Sequence, residues 1–380
     1  RARLARRRSA AMLVLAGAMG FFVTDRLADL AQRHLIYVGS FYTKADLYPA
    51  RMQLERARQT LPKQSYEVHE LEYSVAAGIL FGAQSLKMRG LLLAPSRSSS
   101  GGDPQKQPGP SIGKLWVVFG GNGMISSDWL PILQAILSAP SHGSSRRQDA
   151  FLLLDFPGYW HNEGQPSAGL TLRASEAAVH AALEFLRGVG ESCKAGADER
   201  GPESLAYLGH SLGCAAVTQL AASLAVKRPS WLLGTRPISQ LVISAPFTSI
   251  PGMGRILFIE GMGLKGAKGF VAQAVISVVE QFSRHVWDNE RNLRALARAS
   301  SSSSGAAEMP AVAILHGTRD SIVPVEMGRR LHRLCLEVGL SDCAWVERPD
   351  ADHNDILDKA LVEFARLLTA GESRQGKGKL

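Results

Sequence analysis

Cysteine is scarce: the 380 residues contain only Cys193, Cys214, Cys335 and Cys343. There is no CxxC pair and no spacing that would gather thiols around a metal. A disulfide-built scaffold and a zinc ribbon are excluded. The four read as small buried hydrophobes, with disulfides left open only for an oxidising compartment. Acidic residues are missing before Asp25. A basic excess on the body of the chain is missing too. Of the net charge of +9, Arg1, Arg3, Arg6, Arg7 and Arg8 carry five, and Arg374, Lys377 and Lys379 against Glu372 carry two more. A nucleic-acid binder concentrates its positive charge on the folded domain, so nucleic acid is not an expected partner. With 46% hydrophobic and 20% charged residues, the chain is neither disordered nor fibrous. Its length suffices for one large domain or two ordinary ones.

The acid-free start is RARLARRRS followed by fourteen uncharged residues, Ala10 to Val23. A straight helix needs about 20 apolar residues to cross a bilayer, and Ser9, Thr24 and snorkelling arginines can extend this one. Residues 1–24 are therefore expected to anchor or target the chain, as a signal-anchor first, then as a transit peptide or a cleaved signal peptide. As an anchor it would keep its arginines cytosolic and make the protein membrane-associated. Residues 25–59 read as a helical linker and 371–380 as a disordered basic tail.

Between them, residues 60–370 read as one domain. Tyr66 to Phe81 and Ser85 to Ala94 are punctuated by Gly82 and predict an opening antiparallel hairpin. Six short apolar runs follow: LWVVF at 115–119, FLLLD at 151–155, LAYL at 205–208, LVIS at 241–244, VAIL at 312–315 and AWVE at 344–347. Each is separated from the next by a helical stretch, the mark of a mostly parallel sheet covered on both faces. Low-complexity polar inserts at 96–112, 139–148, 188–202 and 300–308 are expected to loop out. Residues 247–299 are too long for one crossover helix and read as a helical lid.

GHSLG, Gly209 to Gly213, follows LAYL at once and opens a helix. That strand-turn-helix context singles out Ser211 as a nucleophile, its hydroxyl held at a helix N-terminus where negative charge is favoured. A serine hydroxyl needs a base, and the base needs a carboxylate to fix its tautomer. His353, in DADHNDI after the last predicted strand, is the expected base. His210 and His316 sit at strand ends, where local packing or hydrogen bonding accounts for them. Asp320, in HGTRDSIVP at the C-terminal edge of the sheet, is the expected acid. The preceding loop, APFTSIPG, contains no carboxylate, and Asp350, Asp352 and Asp355 lie too near His353 in sequence to reach beneath its ring. Two backbone N–H groups must stabilise the oxyanion: Leu212 after the serine, and Asn122 or Gly121 in the turn GGNGM after LWVVF.

FGGNGM, LDFPGYWHNEGQPS, GHSLG, LHGTRDSIVP and DADHND together resemble the α/β-hydrolase superfamily over residues 85–365. The likeness is greatest to its ABHD-type membrane-associated serine hydrolases and the similar S33-peptidase-like sequences. The resemblance implies the α/β-hydrolase fold, a Ser211–Asp320–His353 triad, and Asn122 and Leu212 as oxyanion donors. Many relatives have His-Gly where this chain has Gly120 and Gly121. A second motif, GMGLKG at 261–266 with Glu280 beyond it, matches a dinucleotide fingerprint. Glu280 lies in a continued helical pattern rather than at the end of a second strand, so a glycine-rich lid is the better reading.

The expectation is thus a serine hydrolase acting on an acyl ester or thioester, with a small lipid or acyl-chain substrate and no metal or organic cofactor. A peptidase on the same triad and a non-catalytic binding protein on the same scaffold are the alternatives.

Overall fold

Five of the six apolar runs are buried along their whole length because each is covered on two sides, whereas AWVE in the last strand is only partly covered, and the computed structural model shows how. It describes residues 29, 32–34, 36–61, 65–76, 85–96, 111–138, 147–191, 201–254, 286–301 and 309–369. Their strands are β1 (Tyr66–Ala76), β2 (Ser85–Pro95), β3 (Ser111–Phe119), β4 (Arg147–Leu154), β5 (Ser204–His210), β6 (Arg236–Ser244), β7 (Ala311–Gly317) and β8 (Cys343–Arg348). They form one eight-stranded sheet in the order β1-β2-β4-β3-β5-β6-β7-β8. β1 pairs antiparallel with β2, and β2 antiparallel with β4. Every other neighbouring pair is parallel. This is the α/β-hydrolase fold expected from the alternation of runs.

Alternate strand residues feed two cores. Leu115, Val117 and Phe119 of β3 join one core, built with helices α3 (Ala168–Glu191), α4 (Leu212–Lys227), α5 (Asn289–Ser301) and α6 (Val325–Glu337). Trp116 and Val118 join the other, with α1 (Tyr48–Thr60), α2 (Trp129–Leu137), α7 (Ile356–Lys359) and α8 (Leu361–Thr369). Deleting one large core side chain from such a site costs about 2–5 kcal/mol.

Several boundaries differ from the sequence reading. The polar inserts are narrower than expected: Ser111 and Ile112 begin β3, Gln148 lies in β4, α3 continues to Glu191, and Ser300 and Ser301 end α5. Backbone pairing and helix propagation extend past the last apolar residue, which composition does not register. The expected lid also ends too late. Residues 289–299 belong to α5, whose Leu293, Leu296 and Ala297 recur at helical spacing and are buried in the core shared with α4. Asn289 stitches its start, donating from Nδ2 to the Phe247 carbonyl at 2.8 Å and accepting from Thr218 Oγ1 at 2.8 Å. Residues 37–59, expected as part of a linker, contribute Tyr37, Leu47, Ala50, Leu54 and Ala57 to the buried interior. The turn around Gly82, the body of the lid with Gly261 to Gly266 and Glu280, Cys193, the anchor at 1–24 and the tail at 371–380 lie outside the described residues. Among the described residues no helix is long and apolar enough to cross a membrane.

Candidate active site

The C-terminal ends of the parallel strands bring the candidate residues together. β5 ends at His210 and α4 begins at Leu212, leaving Ser211 as the single residue of the turn. It adopts φ 53° and ψ −117°, a conformation strained for a residue with a side chain. Flanking glycines make the turn possible. A Cβ on Gly209 would lie 2.7 Å from the Gly213 carbonyl oxygen, and one on Gly213 would lie 2.5 Å from that of Gly120. The turn is sewn to β6. The Ser211 N–H donates to the Ser244 carbonyl at 2.9 Å, and Cys214 Sγ donates to the same oxygen at 3.2 Å.

His353 and Asp320 meet this serine from the loops after β8 and β7. His353 Nε2 lies 2.9 Å from Ser211 Oγ, and its Nδ1 lies 2.7 Å from Asp320 Oδ2. A carboxylate only accepts, so the ring's proton sits on Nδ1 and Nε2 is left to accept from the serine. Asp320 Oδ1 accepts from the N–H groups of Ile322 at 2.9 Å and Val323 at 2.7 Å. Burial alone would raise its pKa. Hydrogen bonds from His316, His353 and the Val323 N–H outweigh that and hold it well below the usual carboxylate range.

Asp352 does not compete for the ring. Its Oδ1 accepts from the N–H groups of Ser321 at 2.8 Å and His353 at 2.7 Å, so it joins the two loops through their backbones. Asp350 pairs with Arg348, and Asp355 with Lys359.

Two histidines flank the chain of contacts. His210 lies with its ring 5.1 Å from that of His353, and Nδ1 is 3.4 Å from Ser244 Oγ. Burial, then the neighbouring His353, lowers its pKa to about 3, so it adds no charge beside the His353 ring near neutral pH. His316, expected to pack or hydrogen-bond locally, is fully buried. Its Nε2 donates to the Val323 carbonyl at 2.9 Å and lies 3.3 Å from Asp320 Oδ2, so it shares that carboxylate oxygen with His353. Its Nδ1 faces Gly328, where any Cβ would collide with it. The i, i+4 spacing of His316 and Asp320 was a signal in plain sight, but an extended strand end gives no reason to expect the two side chains to converge.

The turn after β3 lies against the serine: a Cβ on Gly121 would be 3.4 Å from Ser211 Cβ. The Gly121 carbonyl accepts from the Met124 N–H at 3.1 Å. A trans peptide points its N–H opposite to its carbonyl, so this bond also sets the direction of the Asn122 N–H. Leu212, the other expected donor, is the first residue of α4. The turn is anchored from β4 by Asp155, which sequence reading did not single out. Asp155 accepts from the Ser126 N–H at 2.6 Å and from Ser126 Oγ at 2.7 Å. Burial raises its pKa to about 7 despite those two bonds, with Asp128 adding to the rise. Among the described residues no group of three His, Cys, Asp or Glu side chains is placed to hold a metal ion.

A mostly parallel sheet with a serine in a strained strand-to-helix turn, facing a histidine and an aspartate from later loops, is the architecture of the α/β hydrolases. The chain belongs to the alpha/beta hydrolase family, whose model matches residues 115–367. Among solved structures it is similar to an esterase from Pyrococcus furiosus, at 14% identity and a TM-score of 0.50, covering 83% of this chain and 94% of that one. It is also similar to a putative hydrolase from Agrobacterium vitis, at 16% identity and a TM-score of 0.46, covering 80% and 99%. A third is acyl-protein thioesterase 2 from Zea mays, at 15% identity and a TM-score of 0.39, covering 70% and 96%. At 14% identity the likeness to the Pyrococcus furiosus esterase is one of fold. No curated protein matches in sequence.

Proposed function

We propose that this protein is a serine hydrolase that cleaves an acyl ester or thioester through an acyl-enzyme. In this reading Ser211 is the nucleophile, His353 the general base and acid, and Asp320 the group that holds the imidazole. As Ser211 Oγ attacks the acyl carbonyl, its proton passes to His353 Nε2. The tetrahedral oxyanion is held by the N–H groups of Leu212 and Asn122. The bond to the leaving alcohol or thiol then breaks, and Nε2 returns the proton to it. Water repeats the sequence, releasing the carboxylic acid and restoring Ser211. No step calls for a metal or an organic cofactor.

The observation that carries this reading is the continuous contact from Ser211 Oγ to His353 Nε2 at 2.9 Å and from His353 Nδ1 to Asp320 Oδ2 at 2.7 Å, with the serine in a strained turn. A lipid or acyl-chain substrate is favoured by the apolar character of RILFIE and GFVAQAVISVV within 247–299 and of Ala10 to Val23. Residues 1–24 would hold the protein at a membrane, which extraction at alkaline pH of the chain with and without them would test.

The substrate class is tested with acetyl, butyryl, octanoyl and longer p-nitrophenyl esters below their micelle concentrations, the matching thioesters, and peptide amides. Each buried methylene contributes about 0.8 kcal/mol, so kcat/KM should rise by roughly two orders of magnitude over four carbons held in a groove. Ser211→Ala should abolish the activity. A preference for acetyl would remove the acyl-chain assignment, and faster amide than ester cleavage would replace the esterase with a peptidase.

A further inference from the structure

The segment Tyr37–Tyr42 lies outside the family match at 115–367, yet two of its residues, Gly39 and Tyr42, converge on the turn after β3. The Gly39 N–H donates to the Asn122 carbonyl at 3.0 Å, and Tyr42 Oη donates to the Gly123 carbonyl at 2.5 Å. Tyr159, from the loop after β4, donates to the same Asn122 carbonyl at 2.7 Å, so that oxygen has both lone pairs occupied. With Gly121 already bonded to Met124, three successive carbonyls of the turn are tied down. Peptide planarity then leaves the intervening N–H groups little freedom.

The segment is itself firmly seated. Tyr37 is fully buried and its phenolic oxygen accepts from Trp287 Nε1 at 2.9 Å. Trp287 packs edge-on against Phe156 at 6.1 Å, and Phe156 lies 5.3 Å from the Tyr159 ring. An aromatic layer thus joins the N-terminal segment, the end of β4 and the approach to α5 beneath the turn. Glycine at 39 is required by this packing: a Cβ there would run into the Tyr159 ring, 2.6 Å from its Cδ2, and push aside the second donor to Asn122.

We propose that Tyr37–Tyr42 is a positioning element of the oxyanion site: Gly39 and Tyr42 clamp the carbonyls of Asn122 and Gly123, fixing the two peptides that follow Asn122, so that the Asn122 N–H, whose own peptide is set by the bond of the Gly121 carbonyl to Met124, is held toward Ser211. This rests on the serine-hydrolase reading and adds to it a part that the family region does not contain. None of these residues touches the reacting atoms. Their effect is on the geometry of a donor that does.

The test is Tyr42→Phe in the full chain, which removes one hydroxyl and leaves the ring. Hydrolysis of p-nitrophenyl butyrate should lose about tenfold in kcat with KM within twofold, a fraction of the 10²–10³ that removal of an oxyanion donor costs. Affinity for a butyl trifluoromethyl ketone, whose adduct with Ser211 places an oxyanion in the hole, should fall by the same factor. Gly39→Ala should do the same more severely. If that variant fails to fold, Tyr42→Phe still decides. Unchanged kcat and unchanged ketone affinity in Tyr42→Phe, whatever its melting temperature, would overturn the clamp alone, provided Ser211→Ala is inactive. Activity retained by Ser211→Ala would overturn the clamp and the hydrolase reading together.

Discussion

Asp320 and Asp352 lie within one loop cluster, both bond to backbone N–H groups of the 321–323 turn, and they differ in what else they touch. Asp320 Oδ2 holds the ring of His353, whereas Asp352 holds only its backbone N–H. Asp320→Asn should therefore keep the fold and lower kcat by on the order of 10⁴, because an amide can turn its NH₂ toward Nδ1 and favour the wrong tautomer. Asp352→Asn, which keeps an oxygen for the Ser321 and His353 N–H groups, should cost about tenfold or less. Steady-state kinetics on the two variants compares them, and the reverse order would mean the acid is misassigned. Asp155 predicts a pH effect. Its carboxyl ionises at about 7 in the folded chain, against about 3.9 when unfolded. Between those values the folded state keeps a proton that the unfolded state has lost. The stability this group contributes is thus full below about pH 4 and falls as pH rises toward 7. Asp155→Asn can accept from the Ser126 N–H and donate to its hydroxyl without ionising. Its melting temperature should change less between pH 5 and pH 8 than that of the natural chain, and equal slopes in the two proteins would contradict the assignment.

At the scale of elements, the turn that carries Ser211 and the turn after β3 are one packed unit. Gly213 makes them so, since a Cβ there would lie 2.5 Å from the Gly120 carbonyl oxygen and 2.7 Å from the Phe119 carbonyl carbon. Backbone cannot yield as a flexible side chain can. Gly213→Ala should cost roughly 1–3 kcal/mol of stability, the usual range for overpacking. It should also lower kcat beyond what the remaining folded fraction explains, because the displaced strand end carries the turn that holds the proposed oxyanion donor Asn122. Denaturant unfolding together with active-site titration separates the two effects, and a variant with normal kcat per folded molecule would uncouple the turns. Elements of this kind were legible in the sequence because their signals are local. Continuous apolar runs such as LAYL and LVIS mark strands buried on both faces, and a glycine-flanked serine directly after one marks the turn. The polar α5 does not read as part of the body because its three buried apolar residues are diluted among arginines and serines. The clamp of Tyr42 on Gly123 spans 81 residues, and no periodicity or spacing reports a pairing that only the folded sheet creates. The same holds for Asp155 and Ser126. Their bond depends on β4 lying beside β3, an order inverted relative to the chain.

For the whole molecule, the sheet order explains why residues from three distant stretches, near 122, 211 and 320–353, share one edge. Parallel strands all end on the same side, so the loops that follow them converge there. The family match begins at 115, yet the N-terminal segment that packs under the turn after β3 shares its core. All of this bears on chemistry only if Ser211 is the reactive atom. The direct measurement is to incubate the purified full chain with a fluorophosphonate and locate the adduct by peptide mass spectrometry. The account predicts a single stoichiometric adduct on the peptide that carries GHSLG, at Ser211, and none on the Ser211→Ala chain. An adduct on another residue, or persistent labelling of Ser211→Ala, would contradict it.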